Sequence, residues 1–373
     1  MAFAAHVMIP RLLERRLNGV YSHPPYTSSP NAARLHGRLF VADMHADSLL
    51  FGRDLLGRGT SGHVDIPRLI EGNVGLQVLT VVTLANATMN VDRNRRKDSI
   101  TLLAVVAAWP PKTWGSLMER ALHQARRFEA TAVRSQGLFS AIRSRSEMDR
   151  YLERRSQVQG ITAGILGLEG AHALEGRLEN LDVLYGAGFR LIGLTHFFDN
   201  EVGGSAHGED QGGLTEFGRT VVRRMEELSM TVDLAHASAQ LMDDVLEVAA
   251  RPVVVSHTGV RGTADNNRNL TDEQIRRVAQ AGGVIGIGFW RTATGGDDRQ
   301  AIARAIRYAV DLVGPDHVGL GSDFDGSVTE PFDATGLAQI TEALMAGGMS
   351  DAEIGQVMGG NVLRVLRGNL PAE

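Results

Sequence analysis

The sequence predicts an α/β protein, a closed TIM-like (β/α)8 barrel, and three observations carry that expectation. Eight apolar runs of strand length lie at 39–44, 74–84, 162–168, 190–195, 231–235, 252–256, 283–288 and 317–321. Amphipathic helical patterns separate them, which gives a repeated strand-then-helix rhythm. Runs such as "RPVVVS" and "GVIGIG" are apolar almost throughout, as suits parallel strands covered on the outside by helices. Eight such units close into a barrel.

Taken in order, residues 1–38 precede the first run and form an N-terminal extension. The barrel is expected over 39–325, with an insertion at 86–160 too long for one crossover helix. There "AAWPPKTWGSLMERALHQARRFEA" reads as a break followed by a long amphipathic helix. "LTEFGRTVVRRMEEL" is amphipathic, and "TDEQIRRVAQAGG" adds a start signal: Thr271 and Gln274 are spaced as a capping box, with glycine at the stop. Residues 326–373 are expected to be C-terminal helices. No internal repeat, low-complexity tract or flexible linker divides the chain, so 1–373 is read as a single domain.

Composition excludes several classes of function. The net charge of -5 comes from 43 acidic against 38 basic residues, well mixed, so no basic stripe offers itself to nucleic acid or anionic lipid. Cysteine is absent, which removes disulfides and thiolate chemistry. "MAFAAHVMIPRLLERRL" is a poor signal peptide, since no basic residue leads its apolar part and His6 and Pro10 interrupt it. No window approaches the roughly 20 apolar residues of a membrane span, and "RVLRGNLPAE" lacks an anchor's hydrophobic tail. A cytoplasmic protein without nucleic-acid or membrane partners is expected.

The strand ends carry the functional signal. The first run delivers His45 and Asp47, the third Glu169, the fourth His196, the fifth His236, the sixth His257 and the eighth Asp323. Taken singly, a histidine beside a strand is more often a hydrogen-bonded core residue than a ligand. In a closed parallel barrel, however, the C-terminal strand ends converge on one rim, where the chemistry sits. Imidazole with carboxylate suits zinc or another first-row divalent ion, and seven such groups exceed what one tetrahedral ion needs. Two metals sharing a carboxylate is the economical reading. The chain's lysines, Lys97 and Lys112, both lie in the long second connection, so no strand end offers a lysine for a Schiff base or for carboxylation. An ordinary carboxylate must bridge, and Glu169 is the candidate.

With these residues in place the chain resembles the membrane (renal) dipeptidases, zinc peptidases of the amidohydrolase superfamily, over roughly residues 39–368. The motifs are "DMHAD", "GLEGAH", "LIGLTHFFDN", "GGLTEFG", "VDLAHAS", "VVSHTG" followed by "NNRN", and "HVGLGSDFDG". The resemblance implies a metal-dependent hydrolase barrel with two zinc ions per chain. It implies that His45 and Asp47 hold the first, that Glu169 bridges, and that His236 and His257 hold the second. Asp323 would sit beside the first zinc, His196 would contact the substrate or its tetrahedral intermediate, and Arg268 would receive a dipeptide's C-terminal carboxylate. A homodimer is implied as well. The loop "FFDNEVGGSAHGEDQGG" and the segment "GFWRTATGG" depart from the mammalian pattern.

The chemistry expected is amide hydrolysis by a metal-bridging hydroxide. Asp323 shuttles the proton to the leaving amine and His196 serves as oxyanion donor. Arg268 suits a carboxylate because a guanidinium fork pairs with one bidentately, although most arginines are solvated surface. Asp325 and His172 are read as outer support, and "GGSAHGEDQGG" as a flap over the mouth. His63, His123, His207 and His317, and likewise His6, His23 and His36, are assigned surface or core roles. Acceptance of a D-residue at the C-terminal position stays open. Two alternatives stand beside the dipeptidase: a related amidohydrolase acting on N-acyl amino acids or lactones, and a metal-binding barrel without turnover.

Overall fold

The computed structural model describes residues 2–88 and 90–373; the side chains of residues 1–7, His6 among them, lie outside the described residues. Its strands are β1 (Val41–Ala46), β2 (Val74–Val82), β3 (Phe139–Ala141), β4 (Thr162–Glu169), β5 (Phe189–Gly193), β6 (Thr231–Asp233), β7 (Val254–Thr258), β8 (Val284–Ile287) and β9 (Val318–Leu320). The eight predicted runs correspond to all of these except β3. The order β2-β1-β9-β8-β7-β6-β5-β4 is closed by β2 pairing in parallel with β4, from Leu76 opposite Ala163 to Val82 opposite Glu169. The result is the expected eight-stranded parallel barrel.

β3 stands outside that ring. It pairs with Thr162 to Gly164 in the first half of β4, whereas β5 takes Leu166 to Leu168 in the second half. The 86–160 segment thus adds a strand to the expected break and helix, and three residues are too few to show an alternation in sequence. Its other elements include helices Ile100–Val106, Leu117–Arg134 and Arg145–Gln157, the last two capped by Ser116 and Ser144 accepting from the backbone N–H of Glu119 and Glu147. The box predicted at Thr271 and Gln274 is formed. Each such cap contributes about 1 kcal/mol.

Alternate residues of the strands point inward, and Ala42, Met44, Leu76, Val78, Ala163 and Ile165 belong to one buried cluster. Val362, Val365 and Leu366 of the C-terminal helix Asn361–Asn369 join the same cluster. A larger cluster fills the layer between sheet and surrounding helices. With the interior packed, the barrel is not a channel, and the free strand ends at one rim are left for function. Among the described residues no helix is long and apolar enough to cross a membrane.

Candidate metal centre

The predicted strand-end residues reach this rim from six strands, His45 and Asp47 sharing the end of β1. His45 and Glu169 belong to the last turns of β1 and β4, His257 to β7, and His196, His236 and Asp323 follow β5, β6 and β9. The chain must bend sharply to aim some of them. Gly170, at φ 88°, follows Glu169 directly, and a Cβ there would come within 2.5 Å of His172 Nδ1. His236 and Asp323 themselves adopt φ of 62° and 68°. Left-handed backbone at a non-glycine residue costs of order 1–3 kcal/mol and persists only where its surroundings enforce it.

Glu169 is the hub. Its Oε1 lies 3.1 Å from His236 Nε2, 3.4 Å from His45 Nε2 and 3.4 Å from His257 Nε2, while Oε2 lies 3.4 Å from His196 Nε2. His45 Nε2 is also 3.6 Å from Asp47 Oδ1 and 4.0 Å from Asp323 Oδ1. Three sets could each hold an ion, with ligand atoms all within 4.8 Å: His45, Glu169 and His257; Glu169, His196 and His236; His45, Asp47 and Asp323. Every one of these residues is buried.

Such crowding distorts protonation. Burial, with the charges of Asp47 and Asp323, pushes the Glu169 carboxyl well above its usual range. Burial likewise raises Asp323 to about 7, although His45 opposes the shift. For His45 burial acts downward, but Glu169, Asp47 and Asp323 override it and carry the imidazole up to about 10. Burial, reinforced by neighbouring cations, holds His196, His236 and His257 well below the ordinary histidine value. The carboxylates of Asp47, Glu169 and Asp323 and the imidazoles of His45, His196, His236 and His257 therefore share a buried space with the guanidinium of Arg268.

A cation resolves this conflict, and the donor set fits one. His45 Nε2 and His236 Nδ1 are buried without a hydrogen-bond partner among the described residues. His236 and His257 bring their Nε2 atoms within 2.9 Å of each other, with Glu169 Oε1 beside both. The surrounding shell also favours metal-ready tautomers. Ser256 Oγ lies 3.1 Å from His45 Nδ1 and 3.0 Å from His257 Nδ1. When it accepts from both N–H groups, both Nε2 lone pairs face Glu169. Thr80 donates to Asp47 Oδ1 at 2.6 Å.

Arg268 enters the same cavity, about 230 Å³ in volume, with Asp47, Glu169, His196, His236, His257, Asp323 and Trp290 in its lining. Its Nη2 donates to the His257 carbonyl at 2.6 Å, and its guanidinium lies 5.4 Å from the centre of the Trp290 ring. Burial lowers it to about 10, which still leaves it charged at neutral pH. Seven of the eight predicted site residues, Asp47, Glu169, His196, His236, His257, Arg268 and Asp323, thus line one cavity, and His45 stands behind them with Nε2 3.4 Å from Glu169 Oε1.

The outer residues divide. Asp325 turns away and is bound by Arg53, Ser48 and the backbone of His63, while His172 Nε2 donates to the Phe198 carbonyl. Of the histidines assigned surface or core roles, His63 and His36 are buried and hydrogen-bonded, but His207 lines the cavity. Ser256, Trp290 and His207 were not found by strand-end reasoning. Only "VVSHTG", where Ser256 precedes a ligand-type histidine, held a signal that could have found one of them. The expected flap is tied down: Asn94 N donates to His207 O, and Asp199 accepts from the N–H groups of Ser205 and Asp210.

Known proteins resemble this chain in sequence and in fold. The family model described as membrane dipeptidase (peptidase family M19) matches residues 30–370. Dipeptidase aclJ of Aspergillus oryzae is 33% identical over 217 residues, 56% of this chain and 51% of that protein, so the alignment spans about half of the fungal relative. Among solved structures, the dipeptidase AC, a metallopeptidase of family M19, superposes with a TM-score of 0.73 at 25% identity, covering 90% of this chain and 99% of that one. A Rhodobacter sphaeroides metallopeptidase liganded with a phosphinate mimic of the dipeptide L-Ala-D-Ala shares the fold at a TM-score of 0.72 and 24% identity, covering 88% of this chain and 98% of that one.

Proposed function

The chain belongs to the membrane dipeptidase family, peptidase family M19, and from that premise we propose that it hydrolyses the amide bond of dipeptides at a centre holding two zinc ions. The observation that carries this reading is the convergence of His45, Asp47, Glu169, His236, His257 and Asp323 on the two oxygens and immediate surroundings of Glu169, with Arg268 in the same cavity. In the division we propose, His45 and Asp47 face one ion, His236 and His257 the other, and Glu169 both. Divalent ions there supply Lewis acidity, polarising the amide carbonyl and acidifying a water.

The remaining work falls to the chain's own groups. Arg268 pairs with the C-terminal carboxylate and so fixes the scissile amide over Glu169. Asp323, in the cavity lining 4.0 Å from His45 Nε2, is placed to take a proton from the attacking water and return it to the leaving amine. His196 faces Glu169 from the other side. Its Nδ1 lies 3.3 Å from the Leu84 carbonyl, which only an N–H can satisfy. The neutral ring therefore presents a lone pair at Nε2, and the oxyanion-donor role requires the imidazolium, which burial opposes. We assign His196 to contact with the substrate on that side, with the donor role confined to its protonated form.

The likeness to the family supports a homodimer, and the ligand of the Rhodobacter structure supports including D-residues at the C-terminal position among the substrates. The decisive experiment strips the metal, restores it stepwise, and assays L-Ala-L-Ala, L-Ala-D-Ala and L-Ala-L-Ala amide. Hydrolysis of the free dipeptides should return with two equivalents of zinc, and the amide should react far more slowly. Full activity at one equivalent would remove the dinuclear assignment; equal rates for acid and amide would remove Arg268's role.

A further inference from the structure

His207 carries chemistry that the mechanism above leaves unused. It lies in the glycine-rich segment after β5, is fully buried, and lines the cavity that also contains Glu169 and Arg268. Its ring stacks on Phe197 with centroids 4.9 Å apart and lies edge-on to His236 at 5.2 Å. Nδ1 sits 2.6 Å from the carbonyl oxygen of Val91. A carbonyl only accepts, so Nδ1 carries the proton and the neutral ring offers Nε2 as an acceptor. That Nε2 is buried and has no hydrogen-bond partner among the described residues. A buried acceptor left in this state costs about 1–3 kcal/mol, which a bound donor would recover.

The donors that a dipeptide brings are few. Its carboxylate has none, and its amide lies at the reacting centre, so the free α-ammonium is the group that needs acceptors. Asp47 and Glu169 are assigned to the ions and Asp323 to the proton transfer, and Asn90 Oδ1 already accepts from the backbone of Asp92 and Arg93. His207 Nε2 is left.

We propose that His207 selects substrates with a free amino terminus, its Nε2 accepting a hydrogen bond from the α-ammonium. This rests on the dipeptidase reading and deepens it, because it separates dipeptides from N-acyl amino acids that present the same amide and carboxylate.

The test compares L-alanyl-L-alanine with propionyl-L-alanine, which lacks only the ammonium, on the full chain loaded with zinc. Two substitutions split the two ring nitrogens. His207→Asn keeps a donor for Val91 and removes the acceptor, whereas His207→Gln keeps an acceptor near the position of Nε2. The wild type should prefer the dipeptide. His207→Asn should cut that preference about 10- to 100-fold, the size of one hydrogen bond to a charged group, chiefly through KM, and His207→Gln should retain most of it. Equal use of both compounds by the wild type would overturn the inference while leaving the hydrolase intact, and an equal loss on both compounds in His207→Asn would reduce His207 to a tether for Val91. If neither compound is hydrolysed the dipeptidase reading itself falls; calorimetric binding of the two then decides, and equal affinity would overturn the role of His207.

Discussion

Glu169 and Asp325 are two buried carboxylates served by the same rim, and their surroundings are opposite. Asp325 accepts from Arg53 Nη2, Ser48 Oγ and His63 N, each at 2.6 Å, and from Val64 N at 3.3 Å. Burial alone would raise it, yet Arg53 and these donors hold it below the ordinary carboxylate range. Arg53 is itself locked by Glu14 and by the Val64 carbonyl. Glu169, equally dry, is ringed by imidazole nitrogens and two further carboxylates and is pushed the other way. Burial is common to both, so the partners decide: a carboxylate supplied with matched donors belongs to the architecture, and one crowded by imidazoles and further carboxylates suits a cation.

The largest expected effect breaks the first region. Arg53→Met leaves Asp325 and Glu14 buried without their cation, and removing one partner of a buried pair costs about 3–5 kcal/mol. Thermal or denaturant unfolding of the metal-free chain should show that loss, while zinc binding by the folded fraction persists. A loss below 1 kcal/mol would mean that the network is solvated and the contrast is false.

The next breaks the second region. Glu169→Gln should lower zinc-dependent dipeptide hydrolysis by at least about 100-fold, the upper range for a group that only supports a ligand. The same change should leave the metal-free chain as stable as the wild type or more so, because it relieves repulsion. Metal content by elemental analysis and unfolding without metal read the two halves separately.

The smallest is a pH dependence of opposite sign in the two regions. Asp323, raised to about 7, keeps its proton in the folded metal-free chain over a range where the unfolded chain has released it. Its stabilising contribution is therefore greatest at low pH and is lost as pH rises to about 7. Relative to Asp323→Asn, the metal-free wild type should lose about 2–3 kcal/mol between pH 5 and pH 8, at ~1.4 kcal/mol per unit. Asp325, held low, should contribute stability above about pH 4, an unperturbed aspartate's value, and lose it on further acidification. Parallel slopes for the two residues would contradict the contrast.

Much of this molecule is visible in one dimension. The apolar runs placed eight barrel strands because a parallel strand buried on both faces, by the barrel interior and by the covering helices, reads as a near-continuous apolar stretch. The rule that such strands share one functional rim then grouped His45, Glu169, His257 and Asp323, although up to 278 positions separate them in the chain. The short strand β3 was missed because three residues carry no period, and the tether of the glycine-rich segment because its partners at Val91, Asp92 and Asn94 lie over a hundred residues away.

The chain by itself determined the barrel, the rim and the kinds of ligand that stand there, since periodicity and strand-end placement are local properties that closure merely brings together. Only the tertiary structure decided that Ser256 orients two imidazoles, that Asp325 belongs to Arg53 rather than to the metal centre, and that His207, its Nε2 unpaired, comes to line the cavity. Those outcomes depend on which loops meet after the barrel has closed, and a hydrogen bond between distant loops leaves no periodic trace in sequence.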